Sequence, residues 1–454
     1  MRYRNCLSVC MISSRRDGEQ LSEVTFEAEA PEMSMPGCWE LKRKFRTELE
    51  DTSMKSRLSW LFLFCAVFVG TAAQTGWTQA KAATTSTDKF KIIYITPHSK
   101  DAGPQASSLI KNQASTGQTI ALWNYSQLAY DGKTYSGTMV GRSPFAHGHR
   151  VTTIPTFIIP VIFTFQDTGT VFDPTKPDPC APKGDSVETV ILQSPLFQPV
   201  DFIMNGVDVG TAQYLDAFQR GNFWSKVGGT PYHTVFKSSP TILPVSVKVG
   251  PSAGQTQFGS CGPVGLLDIN QWDSYVQTTL IPSLASKGVG PANFPQFLFD
   301  SVAMYLNGDP AQCCALGYHN SFMNGGVFQT YSANMYDTSG AFGGDTSVMS
   351  HEVAEWMDDP NTGNPVPAWG AEGQVTAGNC QNNLEVGDPL SPGFGTPTNP
   401  FSVLGSNGIP YTLQELAFYS WFLGTSPSLG AGGGFSDNGT FTGHAILCPP
   451  GGTN

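Results

Sequence analysis

The sequence predicts an α+β fold: one main domain in which mixed strands come first and a helix-and-loop half closes the chain. Three observations carry this expectation. Apolar runs of strand length recur between residues 152 and 336. The 49 Gly and 33 Pro among 454 residues favour turns and short strands over long helices. Segments with helical spacing are few, and one of them follows the last strong strand.

Charge narrows the function classes. Only 13% of residues are charged, and 25 Lys and Arg against 36 Asp and Glu give a net charge of −11. A nucleic-acid binder needs a basic stripe to neutralise phosphates, so that class is excluded as a partner. With 40% hydrophobic residues, wholesale disorder is excluded too.

Residues 1–53 are highly charged and show no sustained periodicity. From Met54, the basic Lys55 and Arg57 precede an apolar run from Leu58 to Gly70, too short for a comfortable bilayer span. Small residues follow, with Thr71-Ala72-Ala73 and Ala80-Lys81-Ala82 as alternative cleavage sites. Residues 54–82 therefore read as a signal peptide, Met54 as the expected start, and 1–53 as a mis-called or disordered extension. The expected destination is extracellular or periplasmic, with no stable membrane anchor after cleavage. Cys180, Cys261, Cys313, Cys314, Cys380 and Cys448 lie beyond the signal, consistent with three disulfides among fifteen possible pairings. Adjacent Cys313 and Cys314 are expected to bond to different partners, because a vicinal ring is strained.

Residues 83–150 form a turn-rich N-terminal segment with one expected strand, Lys91–Thr96, and 151–454 form the main domain. Phe157–Phe165 reads as a buried strand in which Pro160 favours an edge or a bulge. A Pro/Asp-rich loop, Asp173 to Asp185, leads to the apolar segment Val187–Leu192. Tyr214, Leu215, Phe218 and Phe223 recur at helical spacing, Ile242–Val249 reads as a strand, and Asp268–Ser286 as an amphipathic helix. Gln296–Leu306 is expected as one core strand and Val327–Tyr336 as another. Asp345-Thr346 offers an N-cap for a helix from about Ser347 to Met357, which Pro360 stops. Leu413–Leu423 is expected as a last short helix.

The helix over 347–357 carries the chemistry. His351 and Glu355 are i and i+4, one above the other on one face, with Glu352 beside His351. This is the arrangement of the HExxH zinc helix, where one face supplies two ligands and the Glu activates water. Here the second His is a Glu, and a carboxylate is an acceptable zinc ligand at about 2.0–2.2 Å. A third ligand is needed. Glu385, in Glu385-Val386-Gly387-Asp388, is the choice; Asp388 is the alternative or a partner that orients His351, and His319 is a weaker candidate. Past the signal only six Glu remain, and four of them fall between 352 and 385. Solvated acidic faces are normally mixed with Lys and Arg, and none occurs from His351 to Asn454. The bland alternative is a structural helix with an acidic face. His147 and His149 form a weaker pair, while His98, His233 and His444 have no partner spacing.

Ser350-His351-Glu352, Glu355, Asp359-Pro360, Trp369 and Glu385-Val386-Gly387-Asp388 resemble the signature of the exordium, or phosphate-induced, protein family and its secreted bacterial relatives. Cys314 with Gly317-Tyr318-His319 is similar to that family's segment before the motif. The resemblance covers about residues 295–425. It implies a zincin-like metallopeptidase-type fold, with His351, Glu355 and Glu385 at the metal positions and Glu352 at the base position. Asp358-Asp359, Trp356 and the longer N-terminal half depart from the pattern and leave the substrate open.

The expected function is a secreted zinc-dependent hydrolase, a peptidase acting on a peptide or protein substrate, with Zn²⁺ as cofactor and Glu352 as general base. The rival is a non-catalytic secreted cell-surface protein that retains the scaffold.

Overall fold

The computed structural model describes residues 113–114, 116–144, 150–342, 346–370, 380–390, 400–425, 431–443 and 446–448. The expected signal, the Lys91–Thr96 strand, His98, His147, His149, Asp345, Glu372 and His444 lie outside the described residues. The fold is a mixed α/β arrangement with mixed sheets. Its largest sheet contains β1 (Thr156–Phe165), β2 (Val245–Val249), β3 (Phe294–Asp300), β4 (Gly317–Asn324) and β5 (Val327–Tyr336). Their spatial order is β2-β1-β3-β5-β4. The first four run parallel, and β4 is antiparallel beside β5.

Parallel strands covered on both faces read as continuous apolar runs, which is why β1, β3 and β5 are legible. Alternation sorts their side chains into two cores. Ile159, Val161, Phe163, Phe297 and Phe299 pack with Trp272 and Leu280 of a helical run over 269–284. Ile158, Phe294 and Leu298 face the opposite core with Trp356 and Phe236. Asp268 caps the 269–284 run by accepting the Gln271 N–H at 3.0 Å.

Several sequence expectations are corrected. Pro160 lies inside the sheet, between β2 and β3. On one side β1 pairs first with Thr241–Ile242 and then with β2. Ile158 uses this side to accept the Leu243 N–H at 3.0 Å, so by strand alternation Pro160's missing N–H also faces it. That position falls where the neighbouring chain breaks at Leu243-Pro244. The single strand expected over Gln296–Leu306 is two. Ser301, at a φ of 52°, separates β3 from Val302–Tyr305, which joins a second, four-stranded sheet. Both pieces are buried, so hydrophobicity alone hides the break. Val187–Gln193 is a helix, started by Ser186 accepting the Thr189 N–H. The last helix is only Tyr419–Leu423, since Pro410–Gln414 is a strand paired with Pro400–Leu404.

Six cysteines form three disulfides, Cys180–Cys261, Cys380–Cys448 and Cys313–Cys314. The adjacent pair therefore bonds to itself, contrary to expectation, because the other four cysteines are joined to one another. Among the described residues no helix is long and apolar enough to cross a membrane.

Candidate metal centre

Two helices pack into the core that holds Phe236 and Phe294: α1 (Tyr214–Asn222) and α2 (Ser347–Asp358). Helix α2 contains no Gly or Pro and stops just before Pro360, which disfavours helical geometry at Asp359. Of its expected cap only Thr346 is described, and its hydroxyl donates to the Thr412 carbonyl at 2.6 Å rather than capping the helix. Trp356 seats the helix, stacking on Phe294 with ring centroids 3.6 Å apart. Gly317 allows close approach to β4, because a Cβ there would meet Val348 at 2.8 Å and Glu352 at 2.9 Å.

Packing of α2 on β4 and on the 385–388 loop gathers two groups of donors that could hold a metal ion. In the first, His351 Nε2 is 3.1 Å from Glu355 Oε1 and 3.6 Å from Asp388 Oδ1. In the second, His319 Nδ1 is 3.5 Å from Glu352 Oε2 and 3.7 Å from Glu355 Oε2. All of these residues are buried. Donors at about 2.0–2.1 Å from a tetrahedral ion lie roughly 3.3 Å apart, so both groups have the spacing of ligand-polyhedron edges.

The outward hydrogen bonds set the imidazoles. Gln414 Nε2 donates to the Gly387 carbonyl, leaving Gln414 Oε1 to accept from His351 Nδ1 at 3.0 Å. Nε2 of His351 then turns its lone pair toward Glu355 and Asp388. His319 Nε2 donates to the Asp359 carbonyl at 3.2 Å, so Nδ1 carries the lone pair facing Glu352 and Glu355. Among the described residues, Nδ1 of His319 has no hydrogen-bond partner. Lone pairs aimed at carboxylates are repulsive, and a cation between them relieves the repulsion.

Burial dominates the proton affinities. It raises Glu352 to about 7, against the opposing pull of His351. Asp388 and Asp359 rise to about 6 for the same reason. Glu355 and Glu385 lie well above the ordinary range through burial and mutual repulsion among carboxylates. Burial also pushes His319 down to about 4, keeping it neutral near pH 7. The centre therefore holds closely packed acids and two imidazoles with no Lys or Arg from residue 351 onward. Such acids ionise when a cation compensates them.

Of the sequence-predicted residues, His351, Glu352, Glu355, Asp388 and His319 come together. Glu385 joins neither group, but its carboxyl hydrogen-bonds that of Glu355, and its Oε1 accepts from Asn383 Nδ2 at 2.6 Å. Asp388, the alternative ligand, stands with His351 and Glu355 in the first group. Trp369 serves this loop indirectly, its indole N–H donating to the Asn383 carbonyl at 2.9 Å. His233 instead pairs with Asp216 of α1 at 2.5 Å. Sequence reasoning missed Gln414, which Ser350 anchors by accepting its backbone N–H at 3.0 Å. It also missed Gly387.

The N–H groups of Gly387 and Asp388 donate to Glu355 Oε1 at 3.1 and 3.2 Å. A Cβ on Gly387 would stand 2.5 Å from His351 Nδ1. Gly387→Ala is therefore expected to cost about 1–3 kcal/mol of stability and to weaken any metal binding at this centre roughly 10–100-fold. Thermal unfolding and zinc titration check this; wild-type values for both would contradict the assigned close contact.

Comparison with protein-family models, with curated proteins and with solved structures finds no match to this chain.

Proposed function

We propose that the protein is an exported, zincin-like metal-dependent hydrolase that cleaves peptide bonds. The observation that carries this reading is the inward lone pair of His351 beside Glu355 and Asp388, with Glu352 one residue along the same helix. His351, Glu355 and Asp388 would hold the metal, and a borderline-soft ion such as Zn²⁺ suits one imidazole with two carboxylates. When bound, zinc supplies Lewis acidity that polarises a carbonyl and acidifies water.

The chain's own groups do the rest. Glu352, pushed up to about 7 by burial, accepts a proton on its carboxylate and returns it to the leaving amine. Gln414 holds His351 in the tautomer that keeps Nε2 free of a proton. The backbone N–H groups of Gly387 and Asp388 fix the rotamer of Glu355. The resemblance of this segment to the exordium family supports the zincin-like assignment, and three disulfides support export.

The test is hydrolysis of an unfolded protein substrate by purified protein, before and after chelation. Activity lost on chelation and restored by zinc is the expected result. Activity indifferent to chelator, or none at any zinc concentration, would contradict the reading and favour a non-catalytic surface protein.

A further inference from the structure

We propose that the centre takes two divalent cations at once. One sits on His351, Glu355 and Asp388, the second on His319, Glu352 and Glu355, and Glu355 bridges them. The inference rests on the metal-binding half of the reading above and is independent of its hydrolytic half.

Three observations carry it. First, the two groups use opposite oxygens of Glu355: Oε1 faces His351 at 3.1 Å and Oε2 faces His319 at 3.7 Å. A carboxylate presented this way offers a different oxygen to each ion. Second, a single ion in the first group leaves His319 Nδ1 unsatisfied. That nitrogen has no hydrogen-bond partner among the described residues, its side chain is 1% exposed, and it points at Glu352 Oε2 3.5 Å away. The Asp359 carbonyl holds the opposite nitrogen, so the ring has no reason to turn away. Third, the acids suffice for two ions. Glu352 belongs to one group, Asp388 to the other and Glu355 to both, so each cation would meet two carboxyls and one imidazole. Imidazole in each group favours zinc, iron or nickel over calcium or magnesium.

Double occupancy has a consequence for the reaction. Glu352 can accept a proton only while its carboxylate is free, and the second cation takes it as a ligand. Hydrolysis should therefore rise to one bound equivalent of zinc and fall as the second site fills, so that excess metal inhibits.

The experiment loads chelator-stripped, full-length protein with buffered free Zn²⁺, counts bound metal by elemental analysis and records X-ray absorption. Two equivalents are expected, with metal–metal scattering at about 3.5–4 Å. His319→Ala should keep one equivalent and lose the metal–metal signal. Glu352→Gln should weaken the second equivalent at least tenfold. Wild-type saturation at one equivalent would overturn the proposal and place a proton between His319 and Glu352. Two equivalents without metal–metal scattering would also overturn it, as would a His319→Ala variant that still binds a close pair. Should His319→Ala fail to fold, the wild-type titration and absorption data decide alone. Failure of the hydrolytic reading looks different: two bound metals and no hydrolysis at any loading.

Discussion

Glu352→Gln is expected to lower hydrolysis at least about 100-fold, the lower range for losing a positioned general base, while zinc stays on His351, Glu355 and Asp388. The amide keeps the shape of the carboxyl but cannot accept the proton, so kcat should fall with KM little changed. Glu352 contacts His319 and lies against Gly317, and neither contact belongs to the first donor group. Metal retention and loss of turnover should therefore separate. A variant with wild-type turnover would remove Glu352 from the base position. A protein inactive before and after the substitution, with metal bound, would point to the non-catalytic surface protein.

Chelation should destabilise the protein, and more at alkaline than at acid pH. In the metal-free protein Glu352 rises to about 7, and Asp388 and Asp359 to about 6, all above their unfolded values. Between the unfolded and folded values the folded state holds more protons, so stability falls as pH rises through this window. His319 works oppositely: its folded value of about 4 lies below the unfolded one, so its contribution grows from about pH 4 to 6.5. Three carboxyls outweigh one imidazole, so the net contribution of these four groups to the metal-free protein falls from about pH 4 to pH 7. Zinc reverses the carboxylate effect by favouring their ionised forms, and protons compete with it at low pH. The expected drop in Tm on chelation is small at pH 5 and about 10 °C at pH 8. A drop of equal size at both pH values would contradict the assignment of these carboxyls to a cation site.

The helix and its motif were legible because their information is local. An i, i+4 pair on a segment without Gly or Pro needs only helical periodicity to place both side chains on one face. The other partners depend on long-range packing. His319 arrives on β4, and its inward direction follows from pairing with Ser332 on β5, a register no local pattern specifies. Which acid approaches His351 is set by the loop: Gly387 lies on the His351 ring and Asp388 Oδ1 comes within 3.6 Å of Nε2, while Glu385 accepts from Asn383 and hydrogen-bonds Glu355. Gln414 was hidden by an apolar run that looked helical through Leu423, although its first part is a strand. Pro160 misled in another way, since a proline inside a sheet is tolerable only where the neighbouring strand breaks, as it does at Leu243-Pro244.

The central claim is that these buried acids and imidazoles are a metal centre. Elemental analysis of protein purified without chelator tests it most directly, with His351→Ala and Glu355→Ala measured beside the wild type. The account predicts at least one equivalent of zinc or a similar transition metal in the wild type. It predicts strongly reduced metal in both variants, with Glu355→Ala the emptier because Glu355 belongs to both donor groups. A folded wild-type protein that carries no metal and takes none from micromolar zinc would contradict it.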